Sequence, residues 1–193
     1  MCIRDSSPSE ALSLYGVFTG MALPCILFPS TVTSSASVIL MPSVAEMQAL
    51  GHHKKIRYIT RTTCTACILL GSLCTTVFYF GGNFAGTILF HNTDAGLYIR
   101  TLSFICPFLY TNIALTSILN GLGKTGTTLV HSVLGILLRI SFVIFAIPVL
   151  GIRGYLYGLL LSEILLSLLH IYALYHICLL YTSPSPRDPK TSR

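Results

Sequence analysis

The 193-residue chain is 53% hydrophobic and only 9% charged, with a mean hydropathy of +0.76, where ordinary soluble domains carry about 25% charged residues. That composition excludes a soluble globular domain. The net charge of +6 is not a nucleic-acid footprint either, because the basic residues gather at the borders of apolar runs. The predicted fold class is all-α: a polytopic transmembrane bundle over residues 7–177, with spans near 11–40, 59–80, 97–119, 127–149 and 155–176. Each run is long enough to cross a hydrocarbon core of roughly 30 Å. The partner this implies is the lipid bilayer.

The first span is unusual. Its front half is apolar, and Pro24 and Pro29 each remove a helical hydrogen bond, so both are expected to kink or break it. Ser30 to Ser37 then place small hydroxyl residues, Ser34 among them, at membrane depth. Two readings follow: a tightly packed kinked helix, or a broken helix lining a substrate cavity. Lys54, Lys55, Arg57 and Arg61 come next and mark the cytoplasmic side by the positive-inside rule. His52 and His53 read as solvated loop, since no third metal ligand is near in sequence, and no metal or cofactor is expected.

The second span holds Cys64-Thr-Ala-Cys67, which has redox spacing but sits on an apolar helix without a βαβ pattern. The seven cysteines show no disulfide-framework spacing. The stretch 81–90 reads as a short, partly immersed helix and 91–96 as a turn on the outside. In the third span Pro107 is the expected kink, and Tyr110, Thr111 and Asn112 form a polar patch. The span closes on Asn120 to Thr125, with Lys124 on the cytoplasmic side. Gly121-Leu-Gly-Lys-Thr125 lacks the two glycines five apart, and the preceding strand, that a phosphate loop requires.

The last two spans form a hairpin turning at Gly151-Ile-Arg-Gly154, and each carries a charge. Arg139 lies thirteen residues before Ile152 and Glu163 eleven after it, so in straight helices the two sit within about 3 Å of the same depth. A lone charge there costs several kcal/mol and must face a partner or a wet cavity, so the pair is expected to point together, away from lipid. His170, seven residues after Glu163, shares its helical face. Arg139, Glu163, Ser34 and Asn112 are the substrate-cavity candidates. No catalytic constellation is visible.

The ordered segments Leu14-Tyr-Gly16, Gly20-Met-Ala-Leu-Pro24, Leu27-Phe-Pro-Ser30, Val38 to Glu46, Leu119 to Thr125 and Gly151-Ile-Arg-Gly-Tyr155 resemble one transporter group. It is the stage V sporulation protein B and polysaccharide-exporter branch of the MATE-like flippase superfamily, with the lipid II flippase MurJ more distant. The resemblance covers nearly all of residues 11–177. It implies two lobes of about six helices each around a central cavity, moving a lipid-linked sugar diphosphate across the cytoplasmic membrane by alternating access. This chain would supply the last five helices of the second lobe, its partner being the N-terminal lobe of the same protein. A cation-coupled multidrug exporter of the same superfamily is the alternative. From other classes, a membrane-embedded polyprenyl-phosphate enzyme or a small oligomeric membrane protein also remains open.

Residues 1–6 and 178–193 resemble translated sequencing-adapter sequence, and a Ser/Pro/Arg tail has no reason to fold. Long-read resequencing across both ends is expected to find a frame that continues upstream through about seven more apolar spans, with both tails replaced. A frame that begins at Met1 and stops after Arg193 contradicts that expectation.

Overall fold

The structure, a computed structural model, describes residues 8–180. The expected tails lie outside the described residues, except that 178–180 continue the last helix. Among the described residues there is helix and no strand. Four helices are long and apolar enough to cross a membrane, and a bent pair makes a fifth. The chain is a multi-pass membrane protein with an all-α fold.

The bent pair is the first span. Helix α1 (Pro8–Val17) passes through a π-helical turn (Phe18–Ala22) into α2 (Leu23–Leu27), and α3 (Ser30–Ala49) follows after a 54° bend. Pro24 sits at the start of α2, where a missing N–H costs least, and the widened turn lies just before it. Pro29 stands at the break itself and caps α3. Carbonyls beside the break are met by side chains. Ser30 donates to Leu27 O (2.6 Å), Thr31 to Phe28 O (2.7 Å), and Tyr110 reaches across to Ile26 O (3.1 Å). Helix α3 then continues through Pro42 to Ala49.

Helix α4 (His53–Phe84) runs on through a second π-helical turn (Ala85–Leu89) as one apolar rod. The stretch 81–90 is therefore an extension of the span rather than a separate short helix. The reason is packing. A Cβ at Gly82 would lie 3.2 Å from Arg100 N, and one at Gly86 would lie 2.4 Å from Gly96 N. Glycines four apart let the backbones of α4 and α5 (Thr93–Leu102) nearly touch. Asn92 caps α5 by accepting from Asp94 N (2.8 Å) and Ala95 N (3.3 Å). A 3₁₀ turn (Ser103–Ile105) leads to α6 (Cys106–Gly121), with Pro107 in the first turn of α6.

Helix α6 is the axis of the bundle. The apolar window of the α5–α6 span is 61% buried, against 11% for α4 and 17% for α7 (Thr125–Phe145). It packs against α3, α4 and α9 (Ile152–Leu180), and α7 packs chiefly on α9. A four-residue helix, α8 (Ile147–Leu150), and Gly151 at φ +64° make the hairpin turn. Gly154 and Gly158 let it close, since a Cβ there would lie 2.7 Å from Ala146 O and 2.6 Å from Phe142 Cβ. Two apolar clusters fill the bundle. One is built on Phe18, Ile99, Leu102 and Tyr110, the other on Val44, Leu115, Ile118 and Leu119.

The α4–α6 contact supplies a test. A Cβ on Gly71 would lie 2.3 Å from Pro107 Cα and 2.7 Å from its N, and backbone cannot step aside as a side chain can. Gly71→Val is expected to cost about 2 kcal/mol or more through overpacking. Gly81→Ala, where nothing lies within 4 Å, is expected to be neutral or slightly stabilising. Thermal unfolding of both variants in one detergent checks the contrast.

Candidate functional site

Along α6 and α9 the two apolar clusters give way to a polar layer at Asn112 and Glu163. Glu163 is buried, with its side chain 7% exposed, and both carboxylate oxygens are engaged. Arg139 on α7 donates through a terminal nitrogen to Oε1 in an ion pair, and Asn112 Nδ2 donates to Oε2 (2.7 Å) and to the Glu163 carbonyl (3.0 Å). Arg139 Nε donates to Ser162 Oγ (2.8 Å), whose hydroxyl in turn donates to Leu159 O (2.8 Å). Ser167 donates to Asn112 Oδ1 (2.9 Å). Both carboxylate oxygens, the Asn112 amide and the hydroxyls of Ser162 and Ser167 each have a partner, as buried members of an ionic network require.

The arginine is not buried like its carboxylate. Its side chain is 38% exposed, beside the outward-facing Ile136, Leu137, Ile140 and Val143 of α7. A mid-span guanidinium that open does not face hydrocarbon at equilibrium. Its polar edge needs water, an anion or another part of a larger bundle. The arrangement can therefore present positive charge at mid-span while the compensating carboxylate is pinned inside by Asn112.

Of the four cavity candidates, the structure brings together Arg139, Glu163 and Asn112. Ser34 stays apart. It is exposed on α3, while Thr33 and Ser37 beside it turn inward and are buried. Pro107 lines a groove of about 470 Å³ between α4, α6 and α9, with Ser72, Thr75, Thr76, Phe104, Phe108, Leu160 and Ile164. Pro24 and Pro29 lie in the broken first span described above.

Lys54, Lys55, Arg57 and Arg61 are exposed along the start of α4, and Lys124 is exposed at the start of α7. The two turns share one end of the bundle, since a Cβ on Gly121 would lie 2.6 Å from Met41 O and 3.1 Å from Val44 Cβ. The Gly121–Thr125 stretch closes α6: Lys124 N bonds to Leu119 O (2.9 Å), with Gly123 at φ +70°. Cys64 and Cys67 are free thiols on α4. Among the described residues no group of three or more His, Cys, Asp or Glu could hold a metal.

Sequence reasoning missed Ser162, Ser167 and His131. Ser167 follows Glu163 by one helical turn, and that spacing was the available signal. His131 meets His170 across the same hairpin, their ring centroids 5.0 Å apart.

Two known proteins are similar to this sequence over most of the chain. Stage V sporulation protein B of Bacillus subtilis (strain 168) is 24% identical over 172 residues, covering 88% of this chain and 33% of that protein. Sporulation protein YkvU of the same organism is 27% identical over 167 residues, covering 84% and 37%. The resemblance is to the stage V sporulation protein B branch. The chain spans about a third of the length of these curated relatives. No family model matches the chain, and no solved structure does.

The unequal burial of the ion pair predicts unequal mutational costs. Arg139→Ala strands a buried carboxylate and is expected to cost about 3 kcal/mol or more, whereas Glu163→Gln leaves a cation that can reach outward and is expected to cost less. Arg139→Met combined with Glu163→Leu, which replaces the whole pair by apolar side chains, is expected to recover most of the loss. Denaturation midpoints in detergent measure all three.

Proposed function

We propose that the chain is part of a membrane transporter that flips a lipid-linked oligosaccharide or peptidoglycan precursor across the cytoplasmic membrane by alternating access. The process it serves is cell-wall, spore-cortex or polysaccharide biosynthesis. The observation that carries this reading is the open Arg139 above a fully engaged Glu163. Both carboxylate oxygens are occupied within the bundle, so the charge left accessible at mid-span is positive. A diphosphate suits it, because a guanidinium donates in a planar fork and keeps its charge. An organic cation, the cargo of the alternative drug exporter, finds no accessible acid at this level among the described residues. The likeness to two sporulation proteins supports the biological setting.

On this reading Arg139 adds positive potential to the wall of a cavity shared with the rest of a larger protein. Ser162 and Glu163 fix its direction, and Asn112 holds Glu163 in place. The test is a chimera in which the matched 172 residues replace their counterparts in stage V sporulation protein B, introduced into a Bacillus subtilis strain lacking that protein. The chimera is expected to restore sporulation and to flip a fluorescent lipid-linked sugar diphosphate in reconstituted vesicles. Arg139→Gln is expected to lower flipping about tenfold or more, with Arg139→Lys intermediate, because the fork is lost before the charge. If Arg139→Gln and Glu163→Gln both insert normally and transport at the parent rate, the proposed role is wrong.

A further inference from the structure

The α7–α9 hairpin carries a second polar rung. His131 lies eight residues before Arg139 and His170 seven after Glu163, rises of about 12 and 10.5 Å that antiparallel helices bring level. The two rings face each other, centroids 5.0 Å apart and planes at 52°. His170 is 0% exposed and His131 9%. Neither nitrogen of His170 has a hydrogen-bond partner, nor does Nδ1 of His131. Buried polar groups are almost always paired, and an exception points to something that binds there.

The neighbours narrow what that is. Helix α6, which packs on both α7 and α9, carries no titratable side chain from Thr111 to Gly121. Helix α7 offers Arg139 on one side, already paired with Glu163 of α9, and Lys124 precedes its first turn on the other. Beyond His170, α9 bears Tyr172, Tyr175 and His176, all exposed. No third ligand stands by for a metal among the described residues, and zinc wants about four. A proton needs only the two rings. A neutral imidazole has one donor and one acceptor nitrogen, so one added proton joins the pair as a charge-assisted N–H⁺···N bond. Access is short, because α7 begins at Thr125, about 9 Å of helix from His131.

We propose that His131 and His170 form a proton-binding site that takes up a single shared proton from the end of the bundle carrying Lys124. The site stands apart from the transport reading, since it needs only this hairpin. The proton comes from water, and none leaves the pair in exchange.

The full chain, labelled with ¹⁵N-histidine, goes into nanodiscs of phosphatidylcholine and phosphatidylglycerol, and the imidazole signals are followed from about pH 8 to about pH 5. The expected result is a through-hydrogen-bond ¹⁵N–¹⁵N coupling between the two residues that appears as the pH falls. In His131→Leu, the proton affinity of His170 is expected to drop at least about tenfold. Absence of the coupling across that range overturns the proposal, as does a His170 titration unchanged in His131→Leu. If His131→Leu fails to fold, the coupling in the unsubstituted chain decides the matter.

Discussion

Glu163 is the constraint on which the rest of the structure depends. A carboxylate inside an apolar bundle is tolerated only when each oxygen is met. Meeting both draws in α7 through Arg139 and α6 through Asn112. Those contacts set the register of three helices at one level, and Ser162 and Ser167 complete them from α9 itself. The glycines that let the hairpin close, Gly154 and Gly158, act on the same distance from the turn end. Remove the carboxylate's partners and, among the described residues, the register has no other polar anchor at that depth.

The broken first span obeys the same accounting with backbone groups in place of charges. Pro29 interrupts the ladder, and Ser30, Thr31 and Tyr110 take up carbonyls near the break. The hydroxyl-rich run is thus partly the chemistry of making a bend in a place without water. Tyr110 and Asn112 both come from α6, so one central helix answers the first span on one side and the charge pair on another. That double duty explains why α6 is the most buried span while α4 and α7 keep wide apolar faces outward.

Much of this was legible in the sequence, and the limits are physical. Counting from the hairpin turn placed Arg139 level with Glu163, because rise per residue in a helix is nearly fixed. The polar patch at Asn112 was visible, although its partner was not, since periodicity within one helix says nothing about which neighbour it meets. Ser34 stands apart from that group. In a run of hydroxyl residues only those one turn apart share a face, and here Thr33 and Ser37 turned inward while Ser34 faced out. Gly82 and Gly86 lie in the stretch read as a separate short helix, yet they are contact points against α5. Only the neighbouring helix distinguishes those meanings. The basic residues that mark one end were plain throughout, as charges at membrane borders usually are.

The most direct test of the central claim is where the guanidinium of Arg139 finds itself in a bilayer. Solid-state NMR on the chain in lipid can compare magnetisation transfer to that side chain from water and from acyl chains, and can look for contact with the Glu163 carboxyl carbon. The account predicts a strong Glu163 contact and faster transfer from water. Transfer dominated by acyl chains, with no contact to Glu163, would contradict it.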